Sequence, residues 1–174
     1  MSKKKLKIVG VIVAFAICFP LHFGYDKFPN FITSIFFPVN ESIWEHMKIL
    51  FGSIIISGVV QKVIVLLKKE KVNNICFSNF IAALLSIPIY LILYLPLYNI
   101  IGESMILAIS IMFITIVMAE IISYIIMNKR DYGMENKTIF LVVLIYIFFT
   151  LLTYYPLEIN LFLDKKELIY GIKK

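Results

Sequence analysis

The sequence predicts an all-α, multi-pass membrane protein: one transmembrane domain over residues 1–174, a bundle of about five spanning helices beneath an outer cap. Three observations lead there. Of 174 residues, 61% are hydrophobic and 16% charged, with a mean hydropathy of +0.93, well above the roughly 50% apolar share of soluble domains. The apolar residues gather into runs of about twenty, the length at which a helix crosses the bilayer hydrocarbon. The cations fall at the ends of those runs, the pattern left when Lys and Arg stay in the cytoplasm.

The first run, about 8–23, follows a segment that carries Lys3, Lys4, Lys5 and Lys7. A basic start and an apolar middle also describe a signal peptide, but no small-x-small cleavage site precedes a polar region. An uncleaved first helix with its lysines in the cytoplasm is the expectation. Residues 24–46 form an outer segment. Gly24-Tyr25-Asp26-Lys27 and Pro29-Asn30 are turn chemistry, and Phe31–Phe37 is too short to span, so it lies at the interface or dips in and returns. Pro38 closes that piece, and Ser42-x-x-Glu45 is a capping box that starts a second helix at about 44–67, with Asn40 as an alternative cap. Gly52, Ser53, Ser57 and Gly58 on it suit close helix packing. Lys68-Lys69-Glu70-Lys71 ends the helix at the cytoplasm. Helices at about 77–98, 104–127 and 139–155 follow, the third of the five containing Pro88 and Pro96, the last stopped by Pro156.

Lys68, Lys69, Lys71, Lys129, Arg130 and Lys137 join the N-terminal lysines on the cytoplasmic side. Lys27 and Lys48, with Lys165, Lys166, Lys173 and Lys174 of the tail, lie outside. This tally places the chain in the plasma membrane with its N-terminus cytoplasmic and its C-terminus extracytoplasmic. The lipid bilayer is therefore its first partner. The formal net charge of +6 does not imply nucleic acid, because no basic stretch is long enough to track a phosphate backbone. The abundance of lysine, isoleucine and asparagine points to an AT-rich bacterial genome. Cys18 and Cys76 belong to opposite ends of their helices, roughly 20 Å apart in depth, too far for a disulfide.

The block Pro38-Val39-Asn40-Glu41-Ser42-Ile43-Trp44-Glu45-His46 is the densest polar run in the chain. With Leu21-His22-Phe23 and Tyr25 before it and Tyr170-Gly171-Ile172 at the far end, it resembles a family of small uncharacterised integral membrane proteins from Firmicutes. The approach to that end, Thr153-Tyr154-Tyr155-Pro156, is similar too, although Leu157 and Asn160 stand where the pattern has prolines. The resemblance covers nearly the whole chain and implies no activity.

Two constellations could carry chemistry. The outer one comprises His22, Glu41, Glu45 and His46, with Asp164 and, further afield, Asp26, Glu103 and Glu158. Histidine with carboxylate is a ligand set for zinc-like ions. On one helix, however, His46 is turned about 100° from Glu45. A site therefore needs His22 together with Glu45 or His46, and no metal set is complete in sequence. Helix capping by Asn40, Ser42, Glu41 and Glu45, with Trp44 as an interfacial anchor, accounts for the same residues. The second constellation lies in the lipid: Lys62 and Glu120 sit at matching depths, which predicts an ion pair, with Tyr124 as a further donor. Tyr90, Tyr94 and Tyr98 form a stripe at helical spacing, facing either the headgroups or a polar groove. No phosphate loop, nucleophile elbow, HExxH or CxxC occurs, and no cofactor is implied. The sequence thus supports a non-enzymatic membrane protein whose polar outer cap binds a protein partner or stabilises an assembly. The alternative is a transporter or membrane-embedded enzyme using the His/carboxylate cluster with a divalent metal. The tail around Asp164–Ile172 is expected to dock on Trp44–Lys48, with His22 beneath.

Overall fold

The computed structural model describes residues 1–172; Lys173 and Lys174, counted above among the basic residues of the tail, lie outside the described residues. Five helices are long and apolar enough to cross a membrane: α1 (Lys3–His22), α4 (Ile43–Leu67), α5 (Ile75–Ile101), α6 (Met105–Met127) and α7 (Glu135–Tyr154). Between α1 and α4 the connecting segment is not loop throughout. It forms two short helices, α2 (Gly24–Lys27) and α3 (Phe31–Phe36), the latter closed by a capping box between Asn30 and Thr33. Four of the long helices make a ring in which α1 and α5 each touch both α4 and α6, while α7 lies outside it against α5 and α3. One end of the ring carries the lysine-rich loops and the other the cap.

α4 and α6 each begin at a serine that accepts from one of their first N–H groups. Ser42 accepts from the Glu45 N–H and Ser104 from the Leu107 N–H. For α5 the N-terminal residue, Asn74, is left-handed and gives no side-chain cap. There Glu135 from the start of α7 accepts from the N–H groups of Cys76 (3.0 Å) and Phe77 (3.4 Å), an anion on the positive helix end. Pro88 and Pro96 are accommodated within one continuous α5.

Close approach inside the ring depends on small residues. A Cβ on Gly58 would lie 2.7 Å from Asn79 Cβ, and one on Gly10 would lie 2.3 Å from Gln61 and 2.4 Å from Glu120. Ser57 Oγ donates to the Gly10 carbonyl at 2.9 Å. α1 and α4 therefore meet nearly backbone to backbone.

The tail folds back over the cap end. After α7 the chain passes Pro156, and a hairpin of β1 (Leu163–Asp164) and β2 (Ile169–Tyr170) closes it. Four contacts dock it: the Trp44 N–H to the Leu161 carbonyl (2.9 Å), the Glu41 N–H to Asp164 Oδ2 (2.9 Å), Asn40 Nδ2 to the Gly171 carbonyl (2.7 Å) and the Ile172 N–H to the Thr153 carbonyl (3.3 Å). Gly171 has φ +64°, and a Cβ there would meet the Thr153 oxygen at 2.3 Å, so no other residue fits. Trp44 is not an interfacial anchor. It is buried, stacked on Phe162 at 4.8 Å and edge-on to Phe148 at 5.9 Å, because the returning tail covers the side of α4 that would otherwise face headgroups.

Asp164 ties the hairpin turn to this junction. Its Oδ1 accepts from the N–H groups of Lys166 (2.8 Å) and Glu167 (3.2 Å). Burial alone would raise its pKa, but the N–H groups of Glu41, Glu167 and Lys166, with the Lys166 charge, outweigh it and hold the carboxyl below its usual value. The sign follows: this contribution is complete above the ordinary aspartate pKa of about 3.9 and is lost as pH falls through the lowered folded value. Asp164→Ala is expected to destabilise the cap by about 1–3 kcal/mol, the cost of unsatisfied buried N–H groups. Limited proteolysis of the detergent-solubilised protein should then cut after Pro156 faster in the variant than in the wild type at neutral pH, and equal rates would count against the tie.

Candidate functional site

At the cap end, three elements bring one residue each to a single point. α1 ends in His22, the segment before α4 supplies Glu41, and the first turn of α4 supplies His46. Glu41 Oε1 lies 3.6 Å from His22 Nε2, and Glu41 Oε2 lies 3.8 Å from His46 Nε2. One ligand atom from each of the three falls within 4.8 Å of the others, and the imidazole centroids are 5.3 Å apart. His46 Nδ1 sits 2.8 Å from the Ser42 carbonyl. A carbonyl can only accept, so Nδ1 carries the proton, and the lone pair of neutral His46 lies on Nε2, facing Glu41 and His22. Supported in this way from behind, an imidazole is oriented as a metal ligand. The 3.6 and 3.8 Å separations run to different oxygens of Glu41, and the three ligand atoms spread over up to 4.8 Å, wider than the roughly 3.3 Å edge of a tetrahedron with bonds near 2.0 Å. An ion would therefore draw the ligands inward, and Glu41, 39% exposed, has room to move.

Glu45 does not belong to this site. The expectation left open whether His22 would meet Glu45 or His46; it meets His46. Glu45 turns to the opposite side and is fully buried, 2.7 Å from Lys48, with its oxygens accepting from the Val39 N–H (3.1 Å) and Thr153 Oγ1 (2.7 Å). Lys48 in turn donates to the Ser34 carbonyl at 2.9 Å. The pair is buried because α3 and α7 close over it. Asp164 lines the same cavity mouth and is tied to the site through the backbone N–H of Glu41 rather than as a ligand side chain.

Beneath the three residues lies a cavity of about 470 Å³ inside the ring. Tyr90, Tyr94 and Tyr98 line it as a stacked ladder with centroids 5.0 and 5.4 Å apart, so the stripe on α5 faces a groove. Its lower wall is apolar, with Phe15, Phe19, Ile49 and Met112. Over the mouth stand Lys165, 4.5 Å from the Tyr98 ring centroid, and Lys166, 4.0 Å from Glu41 and 3.7 Å from Glu103. Asp26 and Glu158 do not line the cavity.

The intramembrane pair needs a correction. Glu120 is paired with Lys7, at 3.2 Å, and Lys62 with Glu135, at 3.1 Å. Depth matching ignores direction around the helix axis. Gln61, not its neighbour Lys62, faces the ring interior, and Lys62 is left 34% exposed on the far side. Gln61 Nε2 donates to Glu120 at 2.8 Å, where Tyr124 was the expected donor. Lys7 belongs to α1 because that helix begins at Lys3 rather than at residue 8. Its ammonium donates to Gln61 (2.8 Å), Ser123 (2.5 Å) and Asn79 (3.2 Å). A signal for it existed: Lys7, Gly10, Ala14, Cys18 and Leu21 share one helical stripe, and all are buried.

The matching family model spans residues 1–172 and is described as a family of unknown function. The chain belongs to this family, DUF6512. No curated protein and no solved structure matches it. Membership therefore attaches no activity to the DUF6512 chain, and the reading of its function rests on the geometry of the site.

Proposed function

We propose that this chain is a bacterial plasma-membrane protein, N-terminus inside and cap outside, that holds a divalent ion of the zinc class on His22, Glu41 and His46 and uses it on a ligand in the cavity below. The convergence of three ligand atoms within 4.8 Å carries this reading, together with the tautomer imposed on His46 by Ser42. Three protein ligands leave a fourth position open, the arrangement of catalytic rather than structural zinc. That position would face the tyrosine-lined cavity, which favours metal-assisted binding or hydrolysis there. Transport is less well supported. Below the cavity the ring is filled by Ile54, Ile116, Ala82 and Ala119 and closed by the Lys7–Glu120 network. Partner docking on the cap, the other reading that the sequence supports, would draw on the same outer cluster, of which Glu45 and Asp164 are engaged within the fold.

The test is zinc titration of detergent-purified, metal-stripped protein, followed by calorimetry and elemental analysis. One equivalent is expected. His22→Ala, His46→Ala and Glu41→Gln should each weaken binding by more than the roughly 10–100-fold that loss of a supporting hydrogen bond costs a metal site. Absence of stoichiometric metal, or affinity indifferent to both histidines, would overturn the reading.

A further inference from the structure

We infer that the cavity takes an anionic lipid, its phosphate head group at the His22/Glu41/His46 ion and its chain leaving the ring sideways between α1 and α6. The inference rests on the metal reading above and extends it to the ligand class. Three features of the cavity carry it.

The first is the amphiphilic grading of the wall. Ionic and phenolic groups (His22, Glu41, His46, Tyr98, Lys166) stand at the mouth, whereas Phe15, Phe19, Ile49 and Met112 form the depth. A water-soluble ion would have no use for the lower half, and a hydrocarbon would have none for the upper.

The second is the electrostatics of the mouth. Glu41, Glu103 and Asp164 face Lys165 and Lys166 there, an excess of negative charge that a bound divalent ion reverses. An ion with an open position, flanked by an ammonium 4.0 Å from Glu41, is a seat for a phosphate oxygen. The lysines come from the hairpin turn, and Lys166 is 61% exposed, free to swing from its carboxylates to a ligand.

The third is continuity with the lipid-facing surface. Phe15 and Phe19 line both this cavity and a second, wholly apolar groove with Ile8, Val11, Ile12, Ala16 and Phe113. Phe15 touches Phe19 and Phe113 edge-on, with centroids 5.4 and 5.1 Å apart. These three rings form the partition between the cavity and the bilayer side of α1 and α6. The 470 Å³ space holds a head group and the first part of one chain but not a whole lipid, so the remainder must pass this partition.

Dioctanoyl phosphatidic acid titrated into zinc-loaded protein in neutral detergent tests the inference, against dioctanoyl phosphatidylcholine and inorganic phosphate. Phosphatidic acid is expected to bind at least about tenfold more tightly than either, since phosphate alone lacks the chain and choline masks the charge. Ala108→Phe, which fills the cavity wall, and Lys166→Glu, on the exposed turn, should each weaken phosphatidic acid at least about tenfold while one zinc is retained. Inorganic phosphate binding as tightly as the lipid, or indifference to both variants, overturns the lipid assignment and leaves the metal site standing. If zinc fails to bind but phosphatidic acid still does so in an Ala108-sensitive manner, the metal reading falls and the lipid cavity survives. Retention of zinc with no lipid binding does the reverse.

Discussion

Replacing Glu120 with leucine while Lys7 remains is expected to cost about 3–5 kcal/mol of stability, because an ammonium is then left inside the ring without its counter-charge. Lys7→Met alone should cost a comparable amount. The double variant should recover most of the loss. The remaining members of the network are side chains (Gln61, Asn79, Ser57, Ser78 and Ser123) that can rotate to pair with one another, as Ser123 and Ser78 already do at 3.0 Å. Thermal or denaturant unfolding in detergent, arranged as a double-mutant cycle, measures the coupling. Strictly additive losses would show that the two charges do not neutralise each other, and would leave Glu120 an independent buried acid. Gly10 belongs to the same unit: the carboxylate of Glu120 and the amide of Gln61 occupy the space where a Cβ would stand.

The Glu45–Lys48 pair should behave differently. Either single replacement, Glu45→Leu or Lys48→Met, is expected to lose about 3–5 kcal/mol by the same argument. Here the double variant should stay close to the worse single. Glu45 also receives the Val39 N–H at 3.1 Å, and Lys48 serves the Ser34 carbonyl at 2.9 Å. These backbone groups cannot turn to find new partners in a buried junction, so removing both charges leaves them unsatisfied. The two cycles thus separate an ionic latch between helices from an ionic junction that organises the chain around it. Full recovery in the Glu45/Lys48 double variant would mean that α3 and the 37–42 segment hold their places without it.

Legibility in the sequence followed physical kind. Run length and hydropathy are summed along the chain, and they placed five helices with bounds shifted by only a few residues, the largest displacement being the start of α1 at Lys3. Caps and breakers are local too: Ser42 and Pro156 act where they were read. The candidate site was legible as composition, since both histidines and Glu41 were singled out, but not as a set. Glu45 looked equivalent to Glu41 until α7 placed Thr153 against it at 2.7 Å.

What the sequence determined by itself is therefore the number of long apolar helices, their approximate bounds and the concentration of polar chemistry around His22, Glu41 and His46. Only the tertiary structure decided direction around each axis: Gln61 inward and Lys62 outward, Lys7 rather than Lys62 on Glu120, and the tyrosine ladder on a cavity rather than on headgroups. The reason is that depth accumulates at 1.5 Å per residue from one helix alone, whereas a 100° step per residue acquires meaning only when neighbouring helices define an inside.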